Sequence, residues 1–463
     1  MLNRVRELIM HKPAAVAGMR IRRFLGLAAA LTATVLAPAA GGAAKGVQET
    51  LKVGVSKVDI TPTDLTNLNP FGGGSFTAVH DPIFARALVL SDGVQTAAIV
   101  SLDLPEVGDM TPLRQRVERE LGIKFGSIMI AATHDHSAPR IGKVSPGTLA
   151  QDGGPESMRY SDVVFDKVIA ALAAAKASLQ PAKFGLGKGD VSVSVNRDQY
   201  IPGKGWSLGY NPDGPSDKTV WVLEFAALDG RPIAVLFDYA VHSNVTFGIK
   251  EITGDLAGAA ERYVEQNGGA GVVALFTMGP AGDQAPRVFH GGQRGEVQRD
   301  RDLAYQANDA QGVMLGAEVL RVVESITDLT SNVRIRAAQR EAVCPTKPGV
   351  GQMATMTKVQ SPTVTLRLSL ILLNQVAIGG VSGEVVTNIY RHLQRETPLA
   401  NTILATIVND RVGYLADDAA YDRPIFEVNG SPAARGCAET AIVDGLVGMI
   451  KDESPVDNGA RAR

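Results

Sequence analysis

A chain of 463 residues that is 45% hydrophobic and 20% charged can bury a large core, as one big domain or two ordinary ones. Its formal net charge is -2, with no long basic block, which removes the electrostatic basis for nucleic-acid binding. Small acidic or apolar substrates remain open.

Residues 1–44 read as a signal peptide. They carry a cationic start, an apolar stretch from Phe24 to Leu36 and an A-x-A at Ala37-Pro38-Ala39, too short and Ala-rich for a membrane span. Arg22-Arg23 before Phe24-Leu25 hints at twin-arginine export, and Met19 is an alternative start. The expectation is an exported protein, periplasmic or secreted, with its remaining residues, 45–463, in a single domain. Strands and helices then alternate. "LKVGVSKVDI", "FARALVLSDG", "QTAAIVSLDL" and "SIMIAAT" read as strands, and "DVVFDKVIAALAAAKASL" as an amphipathic helix. "TVWVLEFAAL" and "RPIAVLFDYAVH" flank Asp229-Gly230, a hairpin signal. A helix over about Leu256–Gln266, the strand "GVVALFTM" and a helix over about Val297–Ile326 follow. The strands "TVTLRLSLILL", "QVAIGGVSG" and "NTILATIVN" complete the pattern. The fold class predicted is α/β, a mixed β-sheet core flanked by helices.

The chemistry gathers where apolar runs end. "SIMIAATHDHSAPR" carries two of the seven histidines one residue apart. On strand alternation His134 and His136 face one side and Asp135 the other. Alone, this H-x-H also fits a turn with two solvated histidines. His242 closes a second run, Glu384 stands at an expected helix start after a third, and Tyr414 and Tyr421 follow a fourth. Ligand sites in open α/β sheets form outside the carboxyl ends of strands. Two histidines and a glutamate with an open position are a common zinc set, so these strand ends predict a metal centre. His290, in a Gly-rich loop, and His392, on a helix face, read as solvated. Cys344 and Cys437 lack C-x-x-C spacing; they form either one disulfide or two buried thiols.

The collinear segments "VGVSKVDITP", "AVHDPIFARALVL", "ATHDHSAP", "VSVNRDQY", "FDYAVHSN", "GPAGDQAP", "VSGEVVT" and "GYLADDAAY" resemble the catalytic domain of neutral ceramidases, from about Val53 to Tyr421. The resemblance implies a zinc-dependent amidohydrolase that splits ceramide, or a similar N-acyl amide lipid, into a sphingoid base and a fatty acid. Carried over by position, the zinc ligands are His134, His242, Glu384 and Tyr414, and the residues beside the metal are His136, Arg197 and Tyr421. It also implies a lipid or other N-acyl amide as partner, with peripheral membrane contact. Two departures stand out. Ala285, in "GDQAPR", takes the place of the family serine usually described as the nucleophile, and the sequence stops at Arg463, soon after Tyr421, where the family's full-length members continue into a C-terminal immunoglobulin-like domain. They leave two rivals: a hydrolase of the same fold acting on another amide or ester, or a silent lipid binder.

Overall fold

A computed structural model describes residues 50–71, 73–143, 153–288, 300–347 and 361–454. The leader, Met19 and His290 lie outside these residues.

The layering can be read from a single strand. In Phe84–Ser91, Ala85, Ala87 and Val89 project to one face and Leu88 and Leu90 to the other, and all five are buried. A strand buried on both faces needs a cover on each, so its run is continuously apolar rather than alternating. It belongs to an eight-stranded mixed sheet. Across that sheet run Val273–Met278, Pro232–Tyr239, Thr219–Ala227, Gln180–Asp190, Lys52–Asp59, Phe84–Ser91, Thr96–Leu102 and Ile128–Ala132. One face is covered by helices Thr111–Leu121, Pro155–Ala177, Asp255–Asn267 and Arg301–Ser325, whose Val117, Leu172, Leu256 and Val319 cluster with Ala87 and Val89. On the other face Leu88, Leu90 and Ile99 meet Ile371, Ile378 and Ile403 of a second sheet. That sheet runs Ile335–Pro345, Thr363–Leu373, Val376–Val381, Asn401–Ala405. Its outer side packs Leu366 and Leu370 on helices Thr387–Glu396 and Ala438–Glu453 through Leu393 and Leu446. The order is helix, sheet, sheet, helix.

Most expected elements are present. The Asp229-Gly230 turn does join antiparallel strands, with Gly230 at φ 89. Among the described residues the long helix runs from Arg301, with Asp300 accepting from the Leu303 amide as its cap, and the expected start at Val297 lies outside them. The hairpin Ser194–Ile201 with Gly205–Asn211 was not anticipated. Among the described residues no helix is long and apolar enough to cross a membrane.

Cys344, in the edge strand Ile335–Pro345, is bonded to Cys437, the residue before helix Ala438–Glu453. Of the two states the sequence allowed, the structure shows the disulfide. Closing a loop with a sequence separation of 93 removes much unfolded-state freedom. Cys344→Ser with Cys437→Ser is therefore expected to lower stability by roughly 2–5 kcal/mol, read from the denaturant midpoint. An unmoved midpoint would show that the bond constrains nothing.

Candidate metal centre

The two ends of the large sheet meet. Ser101 Oγ donates to Phe276 O at 2.6 Å, tying strand Thr96–Leu102 to Val273–Met278. The chain leaving Ile128–Ala132 therefore arrives beside the chain leaving Pro232–Tyr239. Asp135 bridges Ser243, and the His136 amide donates to Ser243 O at 2.9 Å. Asp135 Oδ1 accepts from the Ser137 amide, and Ser137 Oγ pairs with Thr246 Oγ1. The H-x-H loop and the loop of His242 are thus laced together by backbone and short polar side chains.

His134 and His136 do share a target, though not by strand alternation. The strand ends at Ala132, and His134 lies in the left-handed region at φ 61. A non-glycine residue held there costs of order 1–3 kcal/mol. The surrounding bonds hold it, and the turn swings both rings inward. His134 Nδ1 stands 2.6 Å from Pro105 O. A carbonyl can only accept, so Nδ1 carries the proton and the Nε2 lone pair is free to bind a cation.

Glu384 and Tyr414 arrive by register. Glu384–Val385 and Tyr414–Leu415 form a two-stranded parallel pair in which Glu384 lies opposite Tyr414, so both side chains leave the same face. Glu384 is accordingly not at a helix start: the helix begins at Thr387, and strand pairing fixes the carboxylate.

The donor atoms converge. The ligand atoms of His134, His136 and His242 all lie within 4.8 Å of one another. Glu384 Oε2 stands 3.2 Å from His134 Nε2 and 3.4 Å from His242 Nε2. His136 Nε2 is 3.1 Å from His134 Nε2. Despite these distances, among the described residues buried Glu384 Oε2 has no hydrogen-bond partner of acceptable geometry. Two donors bound to one zinc at roughly 2.0–2.1 Å across a tetrahedral angle stand about 3.3 Å apart. Lone pairs facing one another at this spacing repel unless a cation lies between them, so the donor set fits a metal ion. Burial would raise the Glu384 carboxyl, but His134 and His242 outweigh it and hold it well below the usual carboxylate range. Burial pushes the Tyr414 hydroxyl up, the Glu384 charge adds to this, and Arg197 opposes both.

His136 differs from the other two rings. It is half-buried and lies flat on Phe71, with centroids 4.3 Å apart, and the edge of Phe247 approaches at 5.6 Å. Phe71 is 42% exposed and forms an apolar wall beside the site. Burial first, then the neighbouring His134 and His242, hold the His136 pKa well below the usual imidazole value. The ring is neutral at pH 7.

Arg197 reaches the same place from strand Ser194–Ile201, with Nη1 3.1 Å from His242 Nε2. Sequence reasoning missed what holds it. Glu427 Oε1 accepts from Arg197 Nε at 2.8 Å, and Gly282 O accepts from Nη2 at 2.6 Å. Asp283, buried and pushed up to about 6 by that burial, accepts from Asn196 and from the amide and hydroxyl of Thr387. It ties the Arg197 strand to the helix after Glu384. Ala285 pairs with Val195 on the same strand.

The Tyr421 hydroxyl donates to Ala433 O at 2.7 Å and pairs with Ser431 Oγ at 3.0 Å. These bonds tie the turn Asp418–Asp422 to the segment of Ser431 and Ala433. His392 is not simply solvated, because its Nδ1 is 2.7 Å from Glu439 Oε1.

The same fold is found in known proteins. The structure is similar to that of a neutral ceramidase from Pseudomonas aeruginosa, with TM-score 0.68 and 16% identity, covering 88% of this chain and 75% of that one. It is also similar to a ceramidase complexed with C2, with TM-score 0.69 and 17% identity, covering 90% and 77%. Residues 51–299, more than half of the chain, match the family described as neutral/alkaline non-lysosomal ceramidase, N-terminal. The matched segment contains His134, His136, Arg197 and His242, while Glu384 and Tyr414 join them through the sheet register. With its motifs, its fold and its histidine cluster in agreement, the chain belongs to the neutral/alkaline non-lysosomal ceramidase family.

Proposed function

We propose that this protein is a zinc-dependent hydrolase of the N-acyl amide bond of ceramide or a ceramide-like lipid, releasing a sphingoid base and a fatty acid. The observation that carries the reading is the convergence of three imidazoles and an unpartnered buried carboxylate oxygen. His134, His242, Glu384 and Tyr414 would hold the metal. A zinc ion there supplies a Lewis acid for the amide carbonyl and lowers the pKa of water to about 7.

The chain's own groups do the rest. His136 Nε2 faces the centre with its ring neutral, so it can take a proton from attacking water and pass it to the departing amine nitrogen. Water adds to the carbonyl carbon, the C–N bond breaks, and the nitrogen leaves protonated. Arg197 Nη1, aimed at the same space, donates to the oxygen on which charge develops. Phe71 and Phe247 give the approach an apolar side suited to acyl chains. The Cys344–Cys437 bond supports export, because disulfides persist in oxidising compartments.

The test compares zinc-replete and chelated protein on a panel of N-acyl amides and esters. Hydrolysis of ceramides that disappears on chelation is the expected result. Turnover of other substrates alone would assign a different amide or ester, and inactivity on the whole panel would leave a lipid binder.

Ala285 shapes the kinetics. A methyl group neither attacks a carbonyl nor donates a hydrogen bond, so no acyl-enzyme forms at that position. Pre-steady-state product release is expected to be linear, and a burst would contradict attack by water. A gain on ceramide in Ala285→Ser would show that pocket and fold remain suited to that lipid.

A further inference from the structure

We propose that Glu427 is the positioning residue for Arg197, holding the guanidinium so that Nη1 alone is presented beside His242. The proposal rests on the hydrolase reading above. Glu427 lies on the short helix Phe426–Gly430, fully buried, and Arg197 is 6% exposed. A guanidinium taken out of water needs a counter-charge and a fixed set of acceptors. Glu427 Oε1 meets both Nε and Nη2 at 2.8 Å, and Nη2 also donates to Gly282 O. The rings of Phe426 and Tyr414 each lie 5.5 Å from the guanidinium carbon, so the same helix that brings the carboxylate also confines the fork. With Nε and Nη2 committed to Glu427 and Gly282, Nη1 stands beside His242 Nε2, and the guanidinium also hydrogen-bonds the Tyr414 hydroxyl.

Glu427 is itself braced. Among the described residues its Oε2 is buried without a hydrogen-bond partner. The neighbouring carboxyl is Asp198, next in sequence to Arg197 and buried. Burial, then the Glu427 charge and the bond between the two, push Asp198 up to about 9. At neutral pH the two carboxyls therefore share one proton. The pair carries one negative charge against one guanidinium, a balance that holds the fork without a surplus charge beside Glu384.

A double-mutant cycle of Glu427→Gln and Arg197→Ala tests this, with zinc content measured in every variant. Glu427→Gln is expected to keep its zinc and lose about 10²-fold in kcat with little change in KM, the scale of a misplaced catalytic group. The same change in the Arg197→Ala background is expected to cost less than about twofold, because the group it acts through is gone. Affinity for an N-acyl phosphonamidate, a tetrahedral anion, should follow the same non-additive pattern. An equal loss in both backgrounds would overturn the assignment and make Glu427 a purely structural residue. If Glu427→Gln does not fold, Asp198→Ala takes its place in the cycle. A wild type with no turnover on any amide would remove the hydrolase reading, while the phosphonamidate affinities still report Glu427–Arg197 coupling. A wild type that neither turns over substrate nor binds the anion would overturn both.

Discussion

Purified His242→Ala protein is expected to contain almost no zinc and to show no amide hydrolysis above background. His242 is fully buried, and its Nε2 sits 3.4 Å from Glu384 Oε2. Removing it leaves His134, Glu384 and Tyr414, and Tyr414 has a hydroxyl that burial keeps protonated. Loss of an outer partner of a metal ligand already weakens binding by roughly 10–100-fold, and loss of a ligand costs more. The truncation also opens a space lined by Glu384 and Arg197, so the variant's thermal midpoint must be measured alongside its metal. His392→Ala, which touches only the remote pair with Glu439, is the control and keeps its zinc. Equal zinc in wild type and His242→Ala would end the assignment.

His136→Ala is expected to keep its zinc and lose on the order of 10²- to 10⁴-fold in rate, the usual scale of general acid–base help. The ring is half-buried against Phe71, on the side from which a substrate can approach, and neutral at pH 7. Its loss leaves His134, His242, Glu384 and Tyr414 in place. The competing outcome is specific. His136 Nε2 stands 3.1 Å from His134 Nε2, close enough for the two to bind one ion. Loss of zinc in His136→Ala would therefore make His136 a ligand and move the proton-transfer role elsewhere.

What the sequence determined by itself is the chemistry of the strand ends. A buried strand needs continuous apolar residues, so the runs before His134 and His242 show where the sheet stops and polar side chains first become available. The same runs are enough to identify an α/β sheet core. The order of the motifs adds Glu384, Tyr414 and Arg197. Other features had no local signature. The left-handed turn at His134 is held by a loop about a hundred residues downstream, through Ser243 and Thr246. Glu384 and Tyr414 meet in a two-residue pairing too short to leave a strand pattern. The bond from the Tyr421 hydroxyl to Ala433 O joins two turns that no local pattern links. Glu427 lies 230 residues from the arginine it holds, in a five-residue helix with no periodicity to mark it. Local pattern reports what a segment buries. Which charge faces which across a buried site depends on chain closure over hundreds of residues, and only the tertiary structure decides it.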